Sequence, residues 1–118
     1  PRALIRATLE PLYGDPAALT PALVDRYHDM LRAPGVRAAM VDRLAQYVLE
    51  DPRPSLAGIT APTLILWGER DIVIPVANAA DFTAALPNDT LVTFPTLGHM
   101  PQEEAPEASL KAVRAFLD

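Results

Sequence analysis

The sequence predicts a protein of the α/β class, in which a C-terminal βαβα unit of an open parallel sheet follows a segment made only of helices. Residues 1–50 have apolar side chains at helical spacing and no strand signal, whereas residues 61–118 alternate two apolar strands with two helices. Thirteen prolines against five glycines divide the chain into short elements, because proline is excluded from helix interiors and central strands. Two strands alone do not make a stable sheet of this kind, so we expect the second half to be the edge of a larger sheet.

Three amphipathic helices are predicted in the first half of the chain. The first ends at a break over residues 14–16, and the second begins at Pro21 behind an N-cap, Thr20, and ends at residues 34–35. The third runs from about Val36. The side chains expected to face a core are spaced three or four residues apart, at Leu4, Ile5, Leu9, Leu12, Tyr13, Val24, Tyr27, Leu31, Met40, Leu44, Tyr47 and Val48.

Residues 51–60 form a Pro-rich connector, which is the predicted boundary between the helical segment, residues 1–50, and the sheet portion, residues 61–118. The continuous apolar run over residues 63–67 is typical of a strand buried on both faces of a parallel sheet. The elements predicted after it are a helix over 76–86, a turn at 87–89, a β-branched strand over 90–94 and a last helix opening at Pro106, with Leu110, Val113, Phe116 and Leu117 facing the core.

The composition argues against several classes of function. The formal net charge is −5 and the ten Lys and Arg residues are scattered, whereas a nucleic-acid partner needs a concentrated basic face. There are no cysteines, which excludes disulfides and thiolate metal sites. We find no apolar run of membrane-spanning length and no signal-peptide pattern, so a cytoplasmic location is the default expectation. The chain opens inside a helical pattern and without Met, as expected for a piece of a longer polypeptide.

Two ionisable residues follow the carboxyl ends of the predicted strands, which is where reactive groups gather in open parallel sheets. Asp71 comes shortly after the first strand and Gly68, and His99 comes after the second strand and Gly98. Taken alone, Asp71 would be interpreted as a helix cap and His99 as a histidine bonded to the backbone. At two matching strand ends, they are predicted to be an orienting acid and a catalytic base, in which the carboxylate fixes the imidazole tautomer.

The same residues lie in segments that resemble the α/β-hydrolase superfamily. Residues 61–71, APTLILWGERD, with Pro75 following, resemble the strand and acid loop of that superfamily. Residues 98–106, GHMPQEEAP, resemble its histidine loop. The order of acid and histidine also agrees with a triad that reads nucleophile, acid, histidine along the chain. The resemblance covers residues 61–118. By position and composition, residues 1–50 resemble the cap or lid that many members insert over the active site.

The family's nucleophile motif is absent from these residues. That nucleophile lies in a G-x-S-x-G elbow between a strand and a helix, and no such motif occurs here. Ser55 lies in the connector and Ser109 lies inside the last helix, so neither is on an elbow. The oxyanion-hole loop is missing as well. We therefore expect negligible turnover by these residues alone, with the nucleophile supplied by preceding sequence or by a complementary chain or fragment. The uncovered sheet edge also predicts homo-oligomerisation.

The resemblance implies a hydrolase without a metal or organic cofactor, most commonly one that cleaves carboxylic esters through an acyl-enzyme. An epoxide hydrolase, a haloalkane dehalogenase and a C–C bond hydrolase of the same fold are alternatives, as is a non-catalytic binding module that has kept the fold. Ile72, Val73 and Met100 are candidate substrate-binding residues for a small ester-like molecule, or else packing residues.

The remaining polar residues near these motifs have plainer interpretations. Glu103 and Glu104 are interpreted as a charge cluster at a helix N-terminus, because no companion His or Asp lies at metal-ligand spacing. Glu69 and Arg70 are interpreted as a solvated pair, and His28 as a surface histidine.

Overall fold

The first half of the chain is helical in the computed structural model, which describes residues 1–118. The side-chain oxygen of Thr20 accepts a hydrogen bond from the Leu23 N–H at 3.2 Å, and Pro21 occupies the first turn, which confirms the predicted N-cap. The helices of this half are α1 (Arg2–Leu9), α2 (Pro21–Arg32) and α3 (Val36–Ala45), with 3₁₀ turns at Glu10–Leu12 and Pro16–Ala18.

The connector contains a short helix, α4 (Arg53–Ala57), that the sequence did not predict. Proline is compatible with a helix in its first turn, where the backbone N–H has no partner inside the helix, and Pro52 and Pro54 both lie at that end. The side chain of Asp51 supports the same turn, because it accepts a hydrogen bond from the Arg53 N–H at 3.1 Å.

The second half contains the predicted parallel strand pair. Strand β1 (Thr63–Gly68) pairs with β2 (Asp89–Phe94) from Thr63 opposite Asp89 to Gly68 opposite Phe94. The crossover between them is a 3₁₀ turn, Val76–Asn78, followed by α5 (Ala79–Ala85). A four-residue helix, α6 (Pro101–Glu104), then precedes α7 (Pro106–Leu117). The βαβα order is therefore confirmed, and it places the ends of β1 and β2 side by side.

Two small cores stabilise these halves. In the helical half, Leu9, Tyr13, Leu19 and Val24 form a buried cluster. Around the sheet, Ile65 of β1 is buried, as are Ala79 and Leu86 on the crossover side. The two rings of Trp67 and Phe82 lie 5.7 Å apart between their centroids, in a tilted arrangement.

Several side chains predicted to face a core are exposed instead. Helix α3 has no buried residue, and its stripe of Met40 and Leu44 is 51% and 75% exposed. Tyr47 and Val48 lie beyond the end of α3 and are also exposed. At the C-terminus, Leu110 is 43% exposed and Leu117 is 74% exposed. The spacing correctly indicated helices, but no other element of these 118 residues covers these apolar side chains.

No helix in the structure combines the length and the apolar character needed to cross a lipid bilayer.

Candidate active site

Asp71 and His99 form a hydrogen-bonded pair at the carboxyl ends of the two strands. The Nδ1 atom of His99 lies 2.8 Å from Oδ2 of Asp71. The Asp71 side chain is only 6% exposed, whereas the His99 side chain is 31% exposed. The parallel register explains the contact, because it aligns Gly68, at the end of β1, with Phe94, at the end of β2. The predicted acid and base therefore lie together, with the imidazole on the accessible side.

The other carboxylate oxygen of Asp71 organises its own loop. Oδ1 accepts hydrogen bonds from the N–H groups of Val73 at 2.8 Å and Ile74 at 2.9 Å. The turn-capping role considered from the sequence and the pairing with His99 are thus both present, one on each oxygen. Burial acts to raise the pKa of Asp71. The hydrogen bonds from His99, Ile74 and Val73, together with the charge attraction to His99, outweigh burial and hold the pKa of Asp71 below its usual value.

The loop that carries His99 is attached to the helical half of the chain by its backbone. The His99 N–H donates to the carbonyl oxygen of Leu12 at 2.7 Å. The Gly98 N–H donates to Oε1 of Glu104 at 2.8 Å, and Oε2 of the same carboxylate accepts from the Gly14 N–H at 2.7 Å. The position of His99 therefore depends on residues at the start of the chain as well as on β2.

Three glycines meet behind the pair and allow this close backbone packing. A Cβ atom on Gly14 would overlap the carbonyl oxygen of Thr96 and would lie 2.8 Å from the nitrogen of Gly98. A Cβ on Gly98 would lie 2.6 Å from the nitrogen of Gly14, and one on Gly68 would lie 2.7 Å from the carbonyl carbon of Leu97. Side chains at these three positions would push the acid loop, the histidine loop and the helical half apart.

A pocket of about 160 Å³ opens beside the pair, with largely apolar walls. Its lining residues are Leu66, Trp67, Gly68, Asp71, Ile74, His99 and Pro101. The indole N–H of Trp67 donates to the carbonyl oxygen of Ile74 at 3.1 Å and so fixes one wall.

The three candidate substrate-binding residues lie outside this pocket lining. Ile72 and Val73 are 68% and 50% exposed on the acid loop. Met100 is half-buried and packs against the apolar cluster of the helical half. Ile74 and Pro101 line the pocket instead, and each is a close sequence neighbour of a predicted residue. Their binding role remains a prediction.

Glu103 and Glu104 were missed as residues of the site. Two of the three tyrosine hydroxyls of the helical half, those of Tyr13 at 2.8 Å and Tyr27 at 2.9 Å, donate to Oε2 of Glu103. Both carboxylates lie in the first turn of α6, as interpreted from the sequence, but they also bind groups from the first 27 residues. The only available signal was the presence of tyrosines among the side chains predicted to face a core.

Glu69 and Arg70 do not pair with each other, contrary to expectation. Glu69 accepts a hydrogen bond from the Thr93 hydroxyl at 2.8 Å, and Arg70 donates to the carbonyl oxygen of Gly14 at 3.3 Å. Both side chains thus join neighbouring segments of the site.

Neither serine of the chain is placed as a nucleophile. Ser55 is exposed on α4. Ser109 is buried, and its hydroxyl lies 2.8 Å from the Pro101 carbonyl oxygen and 3.0 Å from that of Ala105, so its one proton is shared with the backbone. No group of three or more His, Asp or Glu side chains gathers in a metal-binding arrangement. The geometry can therefore accept and return a proton at His99, with Asp71 orienting the ring.

Known proteins resemble this chain in both sequence and fold. A family model described as the alpha/beta hydrolase fold matches residues 12–106. A 2-hydroxy-6-oxononadienedioate/2-hydroxy-6-oxononatrienedioate hydrolase of Pseudomonas putida is 40% identical over 62 residues, which is 52% of this chain and 22% of that protein. A 2-hydroxy-6-oxo-6-phenylhexa-2,4-dienoate hydrolase of Burkholderia cepacia is 34% identical over 67 residues, covering 57% of this chain and 23% of that protein.

Solved structures match over nearly the whole chain. A serine hydrolase involved in carbazole degradation superposes with a TM-score of 0.87 at 24% identity, covering 99% of this chain and 47% of that one. A meta-cleavage product hydrolase from Pseudomonas fluorescens has a TM-score of 0.81 at 18% identity, with coverages of 99% and 45%. At such identities the likeness shows the fold alone. The chain spans less than half the length of each of these relatives.

Proposed function

The chain belongs to the α/β-hydrolase fold family, and we propose that it supplies the acid, Asp71, and the base, His99, of a hydrolase active site. The observation that supports this most directly is the 2.8 Å hydrogen bond between His99 Nδ1 and Asp71 Oδ2. The nucleophile in this proposal is a serine outside residues 1–118. The whole enzyme would act on a small molecule whose reacting carbonyl enters the pocket beside His99.

In this proposal, His99 takes a proton from the nucleophile and then gives it to the leaving group. Because Nδ1 is held by Asp71, Nε2 is the nitrogen that accepts the serine proton as the serine oxygen attacks a carbonyl carbon. The ionised Asp71 stabilises the imidazolium that results, and its lowered pKa keeps it ionised at neutral pH. The imidazolium then gives the proton to the leaving group. In the second half of the cycle, Nε2 takes a proton from water as the water oxygen attacks the acyl-enzyme. The imidazolium then returns that proton to the departing serine oxygen, which releases the acid and restores the serine and His99.

Two leaving groups are compatible with this cycle. In ester hydrolysis, the first expectation from the sequence, the proton goes to the alkoxide of a departing alcohol. In C–C bond hydrolysis the proton goes to a carbon atom of the departing enolate, the atom that was bonded to the carbonyl carbon. The names of the Pseudomonas putida and Burkholderia cepacia relatives, both hydrolases of 2-hydroxy-6-oxo-dienoates, favour the second reaction.

The test is His99→Ala in the polypeptide that contains both this chain and the nucleophile. Loss of the base should lower kcat/KM on the better of two substrates, p-nitrophenyl acetate and a 2-hydroxy-6-oxo-dienoate, by about a thousand-fold or more. His28→Ala is the matched control, because His28 also faces a carboxylate, Asp29 at 3.0 Å, but lies on α2. Near-normal turnover by His99→Ala would rule out the proposed role. The preferred substrate of the unmodified protein decides between the two reactions.

A second test concerns the nucleophile itself. A fluorophosphonate probe should label the polypeptide that contains the nucleophile and should leave the 118-residue chain unlabelled. Labelling of Ser55 or Ser109 in the 118-residue chain would contradict the proposal that the nucleophile lies elsewhere.

A further inference from the structure

The short helix α6 presents two adjacent carboxylates to the helical half of the chain. Oε1 of Glu104 accepts from the Gly98 N–H at 2.8 Å and from the Met100 N–H at 3.3 Å, and Oε2 accepts from the Gly14 N–H at 2.7 Å. One side chain therefore binds the amides on both sides of His99 in the sequence and joins them to the start of the chain.

Glu103 binds the same half of the chain through different donors. Its Oε2 accepts from the hydroxyls of Tyr13 and Tyr27. Tyr13 is 4% exposed, and burial first, then the hydrogen bond to Glu103, raises its pKa above the usual value. The phenol therefore stays protonated and remains a donor to Glu103 throughout the neutral range.

Neither carboxylate has a cationic partner, since none of the ion pairs in the structure includes Glu103 or Glu104. Their charge is balanced by backbone N–H and tyrosine O–H dipoles alone. Hydrogen bonds to a charged acceptor are stronger and shorter than neutral ones, and they are directional. These hydrogen bonds therefore fix the positions of both carboxylates and of their partners, and they stabilise the carboxylate charge.

We propose that Glu104 is a positioning residue for His99. Together with the Leu12 carbonyl, which accepts the His99 N–H, the Glu104 carboxylate fixes the backbone before, at and after the base. The imidazole is then held where its Nδ1 meets Asp71. Through Tyr13 and Tyr27, Glu103 holds the helical half in place. The Leu12 carbonyl and the Gly14 N–H then stay within hydrogen-bond distance of their partners, His99 and Glu104. This inference rests on the proposed role of His99 as the base.

A purely structural role for Glu104 would stabilise the fold without affecting the hydrogen bond between His99 and Asp71. The two roles are separated by following the Nδ1–H proton of His99 by NMR in the 118-residue chain labelled at histidine nitrogen. In Glu104→Ala we expect this proton to exchange with water at least ten-fold faster than in the unmodified chain. Glu107→Ala is the matched control, because Glu107 is exposed in the first turn of α7 and has no hydrogen-bond partner.

Glu104→Gln is the second variant, in case Glu104→Ala does not fold. A Gln side chain has a single acceptor oxygen and can satisfy only the Gly14 end or the Gly98 end of the contact. We expect exchange at the Nδ1–H to lie between the unmodified and Ala values. An unchanged Nδ1–H proton in the folded Gln or Ala variant, accompanied by a lower unfolding midpoint, would assign Glu104 to the fold alone and overturn the inference.

The kinetic counterpart distinguishes this inference from the proposed function. In the polypeptide that contains the nucleophile, Glu104→Gln should lower kcat by about ten- to a hundred-fold while KM changes less than two-fold, since a base displaced by about 1 Å loses that much rate. Full activity in Glu104→Gln with an inactive His99→Ala would refute the positioning role only. Full activity in His99→Ala would refute the proposed function itself.

Discussion

Gly14 and Gly98 pack backbone against backbone, so that a Cβ atom on either one would meet the nitrogen of the other at 2.8 Å or 2.6 Å. These glycines come from the two halves of the chain, and Gly98 immediately precedes the proposed base. Neither has a positive φ, because the only glycine that does is Gly35. Glycine is therefore required at both positions because there is no space for a side chain, and not because of the backbone conformation.

Gly14→Ala should destabilise the fold for that reason. The added methyl would meet the backbone of Thr96 and Gly98, which cannot move aside as a side chain can. We expect the free energy of unfolding to fall by about 1–3 kcal/mol, measured by urea denaturation. Gly58→Ala is the control, since its methyl would lie 3.4 Å from the Ser55 carbonyl oxygen and 3.9 Å from that of Pro54, which are ordinary contact distances. Equal losses in the two variants would contradict the close packing described for Gly14.

Two substitutions of Asp71 should separate its structural and chemical roles. Asn keeps one oxygen that can accept from the Val73 and Ile74 amides, but it has no charge to stabilise an imidazolium. Asp71→Asn should therefore remain folded and lose about a thousand- to ten-thousand-fold in kcat in the polypeptide that contains the nucleophile. Asp71→Ala leaves both amides without their acceptor and should lower the free energy of unfolding by a further 1–3 kcal/mol or so. A stable, fully active Asp71→Asn protein would exclude the acid role.

The two tyrosines that bind Glu103 predict a loss of stability at alkaline pH. The pKa values of Tyr13 and Tyr27 are both raised, by burial first and then by the hydrogen bond to Glu103. In the unfolded chain a tyrosine ionises near pH 10, so their contribution is complete below about pH 10 and is lost as the pH rises towards the folded-state values. The free energy of unfolding should fall less steeply above pH 10 in the Tyr13→Phe/Tyr27→Phe double variant. Tyr47→Phe serves as the matched control, because Tyr47 is 62% exposed and lies away from both glutamates. A double variant with the unmodified slope would be the contrary outcome.

The exposed apolar face of α3 should promote self-association of the 118-residue chain. Met40, Val41 and Leu44 are 51%, 65% and 75% exposed on neighbouring turns, and contiguous apolar surface of this kind drives association in water. Sedimentation should show a weight-average mass that rises with concentration above 12.8 kDa. Leu44→Lys should shift this equilibrium towards the monomer. A single monomeric species at every concentration would contradict the prediction.

The juxtaposition of Asp71 and His99 could be predicted from the sequence because its signals are local. Each follows an apolar strand and a glycine, and parallel strands necessarily bring their carboxyl ends to one edge. These signals place Asp71 and His99 at the same edge, whereas the exact position of His99 also depends on its contacts with Leu12 and on those of Gly98 and Met100 with Glu104. The conformation of each loop then decides which of its residues line the pocket. Ile74 lines it, whereas Ile72 and Val73 were the predicted substrate-binding residues.

The contacts of Glu103 and Glu104 could not be predicted in this way. Three of their partners, Tyr13, Tyr27 and Gly14, lie in the other half of the chain and carry no charge that would indicate a pairing with a carboxylate. The apolar face of α3 was misjudged for a related reason. Helical spacing identifies which face is apolar, but it contains no information on whether another element covers that face.

The hydrogen bond from the His99 N–H to the Leu12 carbonyl has a consequence for how the protein comes into being. Leu12 leaves the ribosome well before His99, because translation proceeds from the N-terminus. Local helical contacts form within microseconds, but a contact across so long a stretch of chain must wait for the closure of that whole loop. His99 thus reaches its final position only after both strands have been synthesised, so the assembly of the proposed site is a late, non-local event in the folding of this chain.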